Sequence, residues 1–144
     1  MKAIAIFFSI LLVACTSKED SLLLSESSLN VSIVGKWAPT YFTQTKNADG
    51  TFGEWHRINT FVALPVYEFT SDGQFLTDGK PAANCCFAGN KYSVAVNKIS
   101  FTETKNCPEA LCMACPSSWT ISEIKGDTLI LEECMARNKF VKTK

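Results

Sequence analysis

The chain has 144 residues with 14 basic and 14 acidic side chains, so neither a nucleic-acid-binding basic excess nor an acidic solvating tail is present. With 47% hydrophobic residues, among them ten Phe, three Trp and three Tyr, it can bury a core, which excludes wholesale disorder. Its length suits one domain once an N-terminal address is removed.

Residues 1–14 and Cys15 read MKAIAIFFSILLVAC, with one Lys near the start and an apolar run interrupted only by Ser9. That is the pattern of a secretory signal peptide, and the run is far shorter than the roughly 20 residues a spanning helix needs. Leu12-Val13-Ala14-Cys15 resembles the lipobox of bacterial lipoproteins. The resemblance implies that the Cys15 thiol is diacylated with fatty acids such as palmitate and becomes the mature N-terminus, with a third chain on its amine. Several acyl chains, each adding about 0.8 kcal/mol per buried methylene, anchor a protein stably without spanning. Residues 15–32 then form the lipidated cysteine and a flexible tether. Thr16 in the position after Cys15 resembles lipoproteins sent to the outer membrane, and Lys18-Glu19-Asp20 resembles a short surface-export signal. The expected location is the cell envelope, as an outer membrane lipoprotein on the periplasmic face or at the cell surface.

Residues 33–144 form the domain. The first strand is expected across Ile33 to Thr43 and a weaker one from Glu54 to Thr60. Tyr67–Thr70 and Gln74–Thr77 flank Ser71-Asp72-Gly73, an Asp-Gly turn that reaches positive φ cheaply. Tyr92–Val96 and Ile99–Thr102 flank Asn97-Lys98. Trp119–Ile124 and Thr128–Glu132 flank Lys125-Gly126-Asp127, and a last strand covers Asn138 to Val141. Eight or nine short strands with period-2 alternation and almost no helical period predict an all-β fold. The architecture is a small antiparallel up-and-down β-barrel, with a β-sandwich as the alternative.

Setting Cys15 aside leaves Cys85, Cys86, Cys107, Cys112, Cys115 and Cys134. An even set in an exported chain reads as disulfides, in any of 15 connectivities, with Cys85 and Cys86 sending their sulfurs to different partners. The competing reading is a metal site at Cys107, Cys112, Cys115 and Cys134, although a second CxxC is missing. A redox CxxC would need a helix N-terminus, whereas Pro108 and Pro116 put this one in a loop.

Val34-Gly35-Lys36-Trp37, followed by meandering hairpins with the turn Phe69-Thr70-Ser71-Asp72-Gly73-Gln74-Phe75, resembles the lipocalin-like domain of small bacterial lipoproteins. The resemblance implies that Gly35 lets the chain bend into the barrel and that Trp37 closes one end. Arg137, on the last strand, would be the cation stacked on the indole. This chain is shorter than typical lipocalins, lacks a clear C-terminal helix and carries more cysteines, which leaves open whether the barrel is hollow.

No phosphate loop, nucleophile elbow or His-Glu-x-x-His occurs, and no cofactor is called for. His56, the sole histidine, lacks a partner that would make it a base. Glu132 and Glu133 are strand neighbours facing opposite sides, read as solvated. The expectation is therefore a binding protein, not an enzyme, with Tyr41, Trp55, Phe61, Tyr67 and Trp119 as candidate ligand contacts for a small apolar molecule. The alternative is a protein-interaction or inhibitor module of an outer-membrane or surface complex, presenting the cysteine-rich loops 79–90 and 104–118.

Overall fold

A computed structural model describes residues 33–111 and 118–144. The readings placed on the signal peptide, Cys15, the tether, Cys112 and Cys115 lie outside these residues. Among the described residues ten strands follow one another: β1 (Gly35–Thr45), β2 (His56–Arg57), β3 (Tyr67–Phe69), β4 (Phe75–Thr77), β5 (Lys80–Pro81), β6 (Lys91–Ala95), β7 (Lys98–Thr102), β8 (Ser118–Lys125), β9 (Thr128–Glu133) and β10 (Ala136–Thr143). They form one sheet in the order β5-β4-β3-β1-β10-β9-β8-β7-β6, with β2 added beside β1. Every pairing is antiparallel.

Traced from β6, the order is an unbroken meander to β10. It continues through β1, because the first and last strands pair, and on to β3, β4 and β5. This is an up-and-down order opened between β5 and β6. The sheet is a single curled half-barrel, in place of the two stacked layers of a sandwich and short of the fully closed barrel expected. Its two ends touch at one bridge, Gln74 to Lys91. Beside it Phe75 N donates to Asn90 O at 2.8 Å and Tyr92 N to Gly73 O at 2.9 Å. Cys85–Cys107 ties the loop spanning this seam to the segment after β7.

Alternation fixes which side chains enter the curl. Trp119 and Ile121 of β8, Leu129 and Leu131 of β9, and Ile99 and Phe101 of β7 are buried at every second position. They meet Tyr67, Phe69, Phe75 and Phe140 in one cluster. Ring centroids lie 4.7 Å apart for Phe101 and Trp119 and 5.4 Å for both Tyr67–Trp119 and Phe75–Trp119. The inside of the curl is therefore filled by aromatic side chains.

Trp37 is completely buried, and its Nε1 donates to Ile33 O at 2.8 Å. Gly35, at φ +136°, sits where a Cβ would come 2.7 Å from Lys142 Cε. Lys142 is also the cation over the Trp37 ring, at 5.3 Å. Arg137, given that role by the resemblance, instead stacks on Phe52 at 3.8 Å, because its strand position points it to the outer face of β10.

The three expected hairpins form, with shifted edges. The β6–β7 turn is Val96-Asn97, one residue earlier than expected, and Val96 takes φ +58°. The segment from Glu54 to Thr60 contributes only the two residues of β2. β9 runs one residue further than expected, to Glu133, and a Cys134-Met135 turn leads into a longer last strand.

A candidate ligand-binding cleft at the β1 bulge

Pro39 pairs with Phe140 and Thr43 with Asn138, so Thr40, Tyr41 and Phe42 stand opposite the single residue Lys139. Such a bulge bends the strand and breaks the ladder locally. Tyr41 takes φ +64°, a conformation uncommon for a residue with a side chain. Its surroundings hold it there. Thr40 Oγ1 donates to Lys139 O at 2.8 Å, Ile58 N donates to Tyr41 O at 2.9 Å, and Leu64 N donates to the Tyr41 hydroxyl at 3.4 Å. The segment 58–65 is thereby laid across the gap the bulge opens. A cleft of about 190 Å³ results, walled by Pro39, Tyr41, Ile58, Leu64, Pro65, Tyr67 and Phe140.

Glu133 lies in this lining with Asn138. Leu129, Leu131 and Glu133 share one face of β9, so the strand that puts two leucines into the core puts a carboxyl at the core's edge. Glu133 Oε2 accepts from Asn138 Nδ2 at 3.3 Å, while Oε1 is buried without a hydrogen-bond partner. Burial pushes the carboxyl up to about 7, and the Asn138 amide and Tyr67 hydroxyl that face it offset this only in part. The Tyr67 hydroxyl is itself raised, first by burial and then by the neighbouring Glu133. The solvated reading of this pair therefore fails for Glu133, and its outward member is partly buried and ion-paired. Glu132 faces the other side, 2.8 Å from Lys46 Nζ and 3.5 Å from Arg137 Nη2.

Of the aromatic residues expected to meet a ligand, Tyr41 and Tyr67 come together in the cleft. The other three do not. Trp119 is buried in the aromatic core. Trp55 lies on the outer face with Lys139 Nζ 4.9 Å over its ring, and Phe61 is fully exposed in the loop before β3. Glu133, Asn138, Ile58 and Leu64 were not among the expected contacts. His56 is exposed, with Nδ1 3.3 Å from Glu54 O.

Among the described residues the four cysteines are in disulfides. Cys85 is bonded to Cys107, and Cys86 and Cys134 are disulfide-bonded as well, so the adjacent pair does send its sulfurs to different partners. With Cys107 and Cys134 in disulfides, two of the four thiolates of the alternative metal site are used up. Comparison with protein-family models, curated proteins and solved structures finds no match.

Proposed function

We propose that this protein is a lipid-anchored binding protein of the cell envelope, an outer membrane lipoprotein that holds a small, largely apolar ligand in the cleft at the β1 bulge and does no catalysis. The observation that carries the reading is the cleft itself, apolar walls around one buried, unpartnered carboxyl oxygen. Sites for small molecules have this make-up, apolar surface for affinity and a few polar groups for orientation. A cleft of about 190 Å³ is below the usual 300–1,000 Å³ of drug-sized sites, so the ligand is compact. Because aromatic side chains fill the curl, the ligand lies between β1 and β10 and not within a hollow barrel. The apolar run ending at Cys15 supports the anchor.

A second reading, an interaction or inhibitor module, draws on the Cys85–Cys107 bond, which links the two cysteine-rich loops, and on the fully exposed Leu111 four residues after Cys107. Native mass spectrometry of the mature protein taken from its own envelope separates the two. A small-molecule adduct that disappears in Ile58→Trp, where the indole fills the cleft, supports ligand binding. A bare chain in both proteins favours the second reading.

A further inference from the structure

We propose that the ligand's polar end is a primary ammonium group, which donates to Oε1 of Glu133 while its alkyl part packs on Ile58, Leu64 and Phe140. The inference rests on the cleft reading above and names the chemistry of its occupant. Oε1 is buried without a hydrogen-bond partner at contact distance, the only donors that face the carboxyl being the neutral Tyr67 hydroxyl and the Asn138 amide, and the amide is already on Oε2. A buried carboxylate oxygen left without a partner is costly. Three head groups could meet it. A ligand carboxylate would require Glu133 to stay protonated and would add a second buried acid. A hydroxyl would satisfy the lone pair and leave the charge uncompensated. An ammonium does both, through the stronger charge-assisted hydrogen bond.

The charged and titratable groups around the carboxyl agree with a cationic guest. Those lining the cleft are Glu133 of β9, Lys139 of β10, Tyr67 of β3 and Tyr41 of β1, and the segment 58–65 contributes none. Lys139 directs its amine outward, over Trp55, and Arg137 lies outside over Phe52. Neither cation fills the place an ammonium would take. Tyr67 is held in its neutral form and can accept a second N–H. Burial leaves Glu133 partly protonated near neutral pH, so ammonium binding drives off a proton and strengthens as pH rises.

The test follows Ile58 and Leu64 methyl resonances of the full mature protein in detergent while n-butylamine, 1-butanol or butyrate is added at pH 6 and pH 8. Butylamine stays cationic at both. Its Kd should fall about tenfold from pH 6 to pH 8 as the binding-competent ionised fraction grows. Butanol should bind more weakly and without pH dependence. Glu133→Gln should weaken butylamine at least tenfold at pH 8 and keep butanol, whose retention reports an intact cleft. If butanol binds the parent as well as butylamine does, or if Glu133→Gln leaves butylamine unchanged, the ammonium assignment is overturned and the cleft reading survives. If no probe shifts either methyl in the parent, the cleft reading falls and the ammonium assignment with it.

Discussion

Glu133 burdens the fold whenever it is ionised, because burial disfavours its charge more than Asn138 and Tyr67 favour it. Its folded value, about 7, lies above the 4.5 of an unhindered carboxyl, so the folded chain binds the proton more tightly than the unfolded chain. The contribution of Glu133 to stability is accordingly greatest below about pH 4.5, falls as pH rises toward 7, and is flat above it, a loss of about 3 kcal/mol. The stability difference between Glu133→Gln and the parent should therefore change by about 3 kcal/mol in favour of the variant between pH 4 and pH 8 in urea titrations. Parallel pH profiles would show the carboxyl to be solvated. Trp37 works in the opposite sense: fully buried, its indole N–H paired with Ile33 O, it should cost about 3 to 5 kcal/mol when truncated to Ala. A melting temperature within two degrees of the parent would contradict that burial. Trp37 is readable in the sequence because Gly35, two residues earlier, marks the entry to a strand. Glu133 is not, since two adjacent acids look like surface. Alternation says that one of them turns inward, and only when the strand is extended by one residue does the register of Leu129 and Leu131 say which.

At the level of elements, the turns were legible and the irregularities were not. Gly73 and Gly126 adopt positive φ in their hairpin turns, a local chemistry a sequence displays. The β1 bulge arises from pairing with β10 almost 100 residues away, and Thr40-Tyr41-Phe42 has the β-branched and aromatic composition of a continuous strand. The cleft was hidden for the same reason, although Tyr41 and Tyr67 were recognised. The seam loop is likewise tertiary in origin. Gly89 passes so close to β7 that a Cβ would lie 1.9 Å from Thr102 O, and Asn90 Oδ1 accepts from Ala83 N at 2.8 Å. Here the chain lacks a full ladder between β5 and β6, and the Cys85–Cys107 bond supplies a covalent closure across a separation of 22 residues. Chain-entropy arguments assign such a loop about 3 kcal/mol. The double variant Cys85→Ser with Cys107→Ser should lose about that much in denaturant titrations, with Trp119 fluorescence reporting the core. An unchanged midpoint would mean that the bridge closes nothing the hydrogen bonds at Asn90 had not already closed.

Over the whole molecule the formal charges balance, so no net attraction draws the chain to an anionic membrane. Among the described residues the exposed apolar side chains are scattered, as at Phe61 and Val62 before β3 and Leu111 after β7. The acylation proposed at Cys15 would supply the affinity. One acyl chain gives marginal, reversible binding and two or more give stable anchoring, so a thioether-linked diacyl group would be sufficient. On the proposed reading, Cys15→Ser removes the sulfur on which both acylation and cleavage depend. The variant should incorporate no labelled palmitate and should persist as a precursor heavier than the mature protein by residues 1–14. Its domain should fold unchanged, because residues 16–32 separate the anchor from β1, and the Ile58 and Leu64 methyls should respond to butylamine as in the parent. Labelled palmitate in Cys15→Ser, together with normal maturation, would place the cleavage site elsewhere and take away the membrane attachment on which the proposed envelope role depends.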